Sequence, residues 1–320
     1  MLISVVTPTY NEELNVREVY EQVRAVMRTV PQYSYEHLFI DNASTDRTAD
    51  ILLEIASKDP QVKVILNTRN FGHIRSPYYG LLQAQGDAVI LLVADLQDPP
   101  TLLPEFIKKW AEGSAVVMGV KKSSGESFGI FLLRKIYYRL VAKISGTELV
   151  KDFTGFGLYD RRVIALLRTI NDPYPYFRGL IAELGFPSTK IVYHQPARKR
   201  GITKNNFYTL YDIAMLGITS HSKVPLRIAT IAGFFFSCVG ILIAFAYLLA
   251  KLFFWNNFSA GVGPLVIGGF TFLSLQLLFI GLIGEYVGAI HTQVLHRPIV
   301  VEKERINFDK THVTSSYPSV

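Results

Sequence analysis

The chain has 320 residues, 49% of them hydrophobic, with 33 Lys and Arg against 26 Asp and Glu, and a formal net charge of +7. That apolar share is ample for a buried core, while the single cysteine excludes an intrachain disulfide and argues against a structural zinc site. The positive charge comes without helix-turn-helix, zinc-finger or RNA-binding spacing, so a nucleic-acid partner is not expected.

The opening MLISVVTPTYNEE lacks the basic and apolar regions of a secretory signal, which leads us to expect the N-terminal half in the cytoplasm. Short apolar runs then alternate with helix-period segments. Strands are predicted at Ile3 to Thr7, Glu36 to Asp41, Val62 to Asn67, Ala88 to Val93 and Ala115 to Val120. The intervening helices are predicted at Glu12 to Thr29, Arg47 to Lys58, Ser76 to Gln85 and Thr101 to Glu112. Such alternation implies an α/β domain with a mainly parallel, Rossmann-like sheet, whose ligands bind beyond the C-terminal strand ends.

From about Phe128 to Arg200 the pattern is mixed, and Asn205 to Ser222 reads as an amphipathic helix suited to a membrane surface. No charged residue occurs from Ile228 to Ala250 or from Leu252 to Gly284, with Lys251 alone between them. At 1.5 Å per residue either run can cross a hydrocarbon core of about 30 Å. The two runs predict a transmembrane helical hairpin. Lys223 and Arg227 before it, and Arg297, Lys303 and Arg305 after it, put both of its outer ends on the cytoplasmic side.

The unusual residues cluster at the predicted strand ends. The first strand runs into Pro8, Thr9, Tyr10, Asn11 and Glu12, and the second into Asp41-Asn-Ala-Ser-Thr-Asp46. Asp41 is suited to accept hydrogens from a nucleobase and Tyr10 to offer it a flat surface, although an Asx turn with Asp46 as a helix cap explains part of the same segment. The fourth strand delivers Asp95-Leu-Gln97-Asp98 followed by two prolines, an exposed oxygen-ligand arrangement suited to Mg2+ or Mn2+.

Together these segments resemble the family 2 inverting glycosyltransferases of the GT-A fold, and within them the polyisoprenyl-phosphate glycosyltransferase branch. The resemblance rests on PTYNEE at Pro8 to Glu13, DNASTD at Asp41 to Asp46, RNFG at Arg69 to Gly72, and ADLQDPP at Ala94 to Pro100. It continues through DFTGFGLYDR at Asp152 to Arg161, RKRGITK at Arg198 to Lys204 and GEYVG ending at Gly288. It implies a nucleotide-sugar donor, UDP- or GDP-linked, held by Pro8, Tyr10, Asn11, Glu12, Asp41 and Asp95. It implies Mg2+ or Mn2+ on Asp95 and Gln97, with Asp98 close by, and a catalytic set of Asp95, Asp152, Arg198 and Lys204.

The implied acceptor is a polyprenyl phosphate, positioned by Arg134, Arg198, Arg200 and Lys204. The implied layout is a cytoplasmic catalytic domain over 1–204, an interfacial helix over 205–222, two transmembrane helices over 223–290 and a cytoplasmic tail over 291–320. A bacterial inner membrane is the expected location. Gly284 and Gly288 form a small-xxx-small pair that leaves homo-oligomerisation open.

Two departures from the family pattern matter. Val93 stands where the family commonly has a first metal-site acid, so metal affinity without the nucleotide is expected to be poor. Asn42 and Ala43 replace a more usual Asp and Gly, which leaves the base and ribose contacts open. The alternatives are the same donor site with a glycan or diacylglycerol acceptor, or a catalytically weakened scaffold left by loss of the first metal-site acid.

Overall fold

The structure, a computed structural model, describes residues 1–122, 150–170, 172–196, 215, 224–253, 262–295 and 297–308. These divide into two compact units, one made of the residues up to 196 together with 297–308, the other of 215, 224–253 and 262–295.

The first unit opens with β1 (Leu2–Thr9), α1 (Val16–Met27), β2 (Ser34–Asp41), α2 (Thr48–Lys58), β3 (Val62–Asn67), α3 (Gly72–Gln83) and β4 (Ala88–Leu91). A 3-10 turn (Pro100–Leu102), α4 (Leu103–Ala111) and β5 (Val116–Lys121) follow. After them come β6 (Phe153–Asp160), α5 (Arg161–Thr169), α6 (Phe177–Leu184), β7 (Ser188–Tyr193) and β8 (Glu302–Ile306). The predicted early elements are therefore present. β4 is shorter than expected because the chain leaves the sheet after Leu91 to form the Asp95 turn.

The eight strands form one sheet in the order β7-β5-β6-β4-β1-β2-β3-β8. β1 pairs in parallel with both β2 and β4, β2 with β3, and β5 with β7. The sheet is mixed overall, because β6 runs antiparallel between β4 and β5 and β8 runs antiparallel to β3. β6 can lie between its neighbours only with glycine at 157, since a Cβ there would sit 2.3 Å from the Val117 carbonyl oxygen. Central β1 is buried from Ile3 to Thr7, as a strand covered on both faces must be. Val6, Ile40, Ile65, Tyr78 and Leu81 pack on one face, and Ile3, Val5, Ile90, Phe106 and Phe156 on the other.

The strand order that steps outward from β1 to β2 and β3 reverses at β4, which lies parallel on the other side of β1. That switch point between β1 and β4 opens a crevice at the C-terminal strand ends. It positions the residues of the candidate site.

β8 is a part of the sheet that the sequence does not announce, since its residues, EKERI, read as a charged tail. Arg305 holds it through an ion pair with Glu302 at 2.5 Å and a hydrogen bond to Gln83 Oε1 at 2.7 Å. Just beyond it, Asn307 Nδ2 donates to the carbonyls of Ala56 and Val62, both at 2.8 Å.

The second unit contains α7 (Val224–Phe253) and α8 (Val262–Val294). Both are apolar, with Phe234, Phe235, Leu277 and Leu278 exposed. Among the described residues one stretch, Thr271–Val294, is long and apolar enough to cross a membrane, and Val224–Gly240 is a shorter apolar stretch. The predicted surface helix over 205–222 lies outside the described residues apart from Met215.

Inside β2, His37 is fully buried; its Nε2 shares a 2.9 Å hydrogen bond with Thr7 Oγ1 and its Nδ1 has no partner among the described residues. Burial pushes its pKa from the ordinary 6.5 down to about 3. Between those values the unfolded chain binds a proton that the folded chain refuses, so stability must fall as pH falls. We predict that the melting temperature of the detergent-solubilised chain declines from about pH 7 to about pH 4, and that His37→Leu flattens this slope.

Candidate active site

At the strand ends, Asp41 is 2% exposed and ringed by donors. The Thr9 hydroxyl donates to Oδ1 at 3.1 Å, the Ser44 hydroxyl to Oδ1 at 2.5 Å and the Ser44 amide to Oδ2 at 2.9 Å. A carboxylate offers about four acceptor positions, so among the described residues one remains, on Oδ2. Asp41 is thus the anchor that joins the end of β1 to the loop after β2, and its direct contact with a base is limited to that position.

The neighbouring residues continue this knot. The Asn11 amide donates to Ser44 Oγ at 2.9 Å, the Thr45 amide to Asn11 Oδ1 at 2.8 Å, and the Glu12 amide to Thr48 Oγ1 at 2.8 Å. Asp46 accepts from the Thr48 amide at 3.0 Å and its hydroxyl at 2.5 Å, the Asx arrangement that the sequence suggests. Burial opposes ionisation of Asp46, yet donors from Thr48 and Glu13 hold its carboxyl below the usual range. Pro8, Tyr10, Asn11 and Glu12 remain half-exposed along the crevice.

Asn42 resolves one of the departures. Its Nδ2 donates to Asn70 Oδ1 at 2.8 Å and to the Gly72 carbonyl at 3.2 Å, while its Oδ1 accepts from Asn67 Nδ2 at 3.1 Å and the Phe71 amide at 2.9 Å. All four positions of the amide are used. A carboxylate could not supply the two donors, so this residue holds the Arg69–Gly72 loop against β2 and β3. Sequence reasoning missed this role because the partners, all within Asn67 to Gly72, lie 25 to 30 residues further along the chain.

On the β4 side, Ala94, Leu96 and Asp98 are buried while Asp95 and Gln97 are half-exposed, so the two oxygen donors share the outward side of the turn. Asp95 Oδ1 accepts from the Gln97 amide at 3.1 Å. Asp98 instead turns inward and accepts a short hydrogen bond from the Tyr193 hydroxyl. Burial pushes both the Asp98 carboxyl and the Tyr193 hydroxyl up. Among the described residues no group of three or more His, Cys, Asp or Glu is placed to hold a metal ion. Asp95 and Gln97 therefore fit a cation only when a ligand such as a diphosphate completes its shell.

Asp152 stands at the same end of the sheet, because β6 runs antiparallel to β4 and starts there. Its carbonyl accepts from the Lys121 amide at 3.2 Å, and the next residue, Lys122, donates its amide to the Tyr193 carbonyl at 2.8 Å. The ends of β5 and β7 thus bring Asp152, Asp98 and the Asp95 turn together. Arg178, which no motif singled out, donates to the Phe153 carbonyl at 3.3 Å. Arg134, Arg198, Arg200 and Lys204 lie outside the described residues.

Asn11, Ala43, Leu96 and Asp152 all adopt left-handed backbone, with φ of 56°, 59°, 58° and 60°. Such conformations are uncommon for residues other than glycine and gather where surrounding contacts enforce them, often at functional sites. Here they mark the four segments that border the crevice.

A family model described as glycosyl transferase family 2 matches residues 4–167. An uncharacterized glycosyltransferase, YkcC, of Bacillus subtilis (strain 168) is 37% identical over 299 residues, which is 93% of this chain and 92% of that protein. A bactoprenol glucosyl transferase of Shigella phage SfV is 33% identical over 306 residues, covering 95% of this chain and 98% of its own length. The crystal structure of glucosyl-3-phosphoglycerate synthase from Mycobacterium tuberculosis with Mn2+, UDP and phosphoglyceric acid is 19% identical. It covers 68% of this chain and 76% of that one, at a TM-score of 0.49.

The Asn42 geometry yields a direct test. Asn42→Asp would set carboxylate oxygens against Asn70 Oδ1 and the Gly72 carbonyl. We expect it to lower stability by roughly 2 kcal/mol or more, measured by urea unfolding of the full chain in detergent. Faster hydrogen exchange should appear first at Phe71 and Gly72.

Proposed function

The chain belongs to glycosyl transferase family 2, and from that premise we propose that it moves a sugar from a UDP- or GDP-sugar to a polyprenyl phosphate at the cytoplasmic face of a membrane. The observation that supports this most is the convergence of Asp41, Asp95 and Asp152, from distant parts of the chain, at one switch point between β1 and β4. A relative named as a bactoprenol glucosyl transferase, matched over almost its whole length, supports the lipid acceptor.

In this reading Tyr10, Asn11 and Glu12 border the nucleotide, with Pro8 and Asp41 behind them. A Mg2+ or Mn2+ ion held by Asp95 and Gln97 would offset the charge that builds on the departing diphosphate. A lipid phosphate monoester, with a second pKa of about 6, is already an anion at neutral pH and needs little help from a general base. Its oxygen forms the new bond to the anomeric carbon while the bond to the diphosphate breaks, and the electron pair leaves with the nucleoside diphosphate. Attack from the opposite side inverts an α-linked donor to a β-linked product. Asp152 then orients a sugar hydroxyl or the metal and does not remove a proton.

Arg198 and Lys204, with Arg134 and Arg200, would position the acceptor phosphate, Arg as a bidentate fork and Lys as a point charge. We assign the catalytic domain to residues 1–204, the surface helix to 205–222 and a two-helix hairpin to 223–290. The apolar exposure of α7 and α8 supports membrane anchoring, for which a bacterial inner membrane is the natural setting. Gly284 and Gly288 would serve self-association of such an anchor.

The test is product analysis. The purified full chain, given Mn2+, a panel of UDP- and GDP-sugars and a polyprenyl phosphate, should yield a β-linked lipid phosphosugar by mass spectrometry and NMR. Asp95→Asn should abolish it. Transfer to a glycan or diacylglycerol, with none to the lipid phosphate, would overturn the acceptor assignment.

A further inference from the structure

Arg75 lies in the first turn of α3, three residues beyond the Arg69–Gly72 loop, in a position that no motif covers. Its Nε is buried without a hydrogen-bond partner among the described residues. Among the described residues no carboxylate and no hydrogen-bond acceptor reaches the rest of the guanidinium, whose one contact of note is the Tyr174 ring, 5.3 Å from Cζ. The other half-buried arginines of this unit have acceptors, Arg305 in Glu302 and Arg178 in the Phe153 carbonyl. A half-buried guanidinium with donors left over is costly, and stacking on one ring offsets only a small part of that cost.

Its surroundings face the crevice from both sides. Ser76, the next residue, is tied to Asn67 at the end of β3 by a 3.1 Å hydrogen bond. Tyr174 belongs to the segment that leads into α6, where Arg178 reaches the Phe153 carbonyl beside Asp152. Arg75 therefore stands between the β3 exit and the Asp152 edge, with the positive end of α3 adding to its charge.

We propose that Arg75 is a substrate-phosphate ligand, held ready by Tyr174 to grip phosphate oxygens in the crevice. A planar fork with unfilled donors matches two oxygens of a phosphate group. The assignment rests on the glycosyl-transfer reading, in which both substrates carry phosphate: the diphosphate of the nucleotide-sugar and the monoester of the lipid.

The experiment compares wild type, Arg75→Met and Arg75→Lys as full chains in detergent. One arm titrates UDP and GDP with Mn2+ by calorimetry, and the other titrates a polyprenyl phosphate by thermophoresis. In Arg75→Met one arm should weaken about ten- to a hundredfold, the loss expected for a charge-assisted contact, and Arg75→Lys should recover part of it. A donor-arm loss assigns the residue to the diphosphate, and an acceptor-arm loss assigns it to the lipid phosphate. The melting temperature of ligand-free Arg75→Met should stay equal to wild type or rise, because a half-buried guanidinium with donors left over is gone. Affinities unchanged within about twofold in both arms, or a lower melting temperature with both affinities kept, would make Arg75 a packing residue and sink the proposal. Both arms read binding alone, so wild-type protein that binds its probes yet transfers no sugar would overturn the reaction and leave the Arg75 assignment intact.

Discussion

A carboxylate buried at the end of a parallel strand must be surrounded by donors or give up its charge. Asp41 obtains them from Thr9 and Ser44, and the consequence spreads outward. The loop after β2 is drawn over the end of β1, and Ala43 is turned into left-handed backbone within it. Asn11, also left-handed, is fixed by Ser44 and Thr45. Tyr10, Asn11 and Glu12 are thereby presented to the crevice by a rigid frame. Asn42 extends the frame sideways to the Arg69–Gly72 loop, so three consecutive strand ends behave as one support.

The opposite wall is built on a different interaction. Asp98 is buried and bonded to Tyr193, which ties the Asp95 turn to the end of β7, and the β5 end carries Asp152 into the same neighbourhood. With Val93 in place of a first acid, Asp95 and Gln97 offer few oxygen donors. The wall is suited to a cation that arrives with a diphosphate and poorly suited to one that arrives alone. In the proposed reading the cation and the diphosphate complete each other's shells at this wall, which would couple the two bindings.

Much of this was legible in the sequence. The 3.6-residue and two-residue periods locate α1 to α4 and β1 to β5, and Asp41 and Asp95 stand out because acids at strand ends are chemically conspicuous, whereas Asp152 was legible only through the family resemblance. Other features were not legible, for physical reasons. β6 runs antiparallel to its neighbours, and no local pattern encodes its direction. β8 is a charged pentapeptide, EKERI, that becomes a strand only through Arg305, Asn307 and the waiting edge of β3. Tyr193 and Arg75 gain meaning from partners more than ninety residues away, Asp98 and Tyr174 respectively, so no short motif could reveal them.

The most direct test of the account is whether cation and nucleotide bind as one unit at the β1/β4 switch point. Calorimetry of the full chain with UDP and with GDP, in Mn2+ and then in excess EDTA, reads this directly. The account predicts affinity at least about tenfold higher with Mn2+ for one of the two nucleotides, weak Mn2+ binding without either, and loss of the difference in Asp95→Asn. Equal affinity in Mn2+ and in EDTA, unchanged by Asp95→Asn, would contradict it.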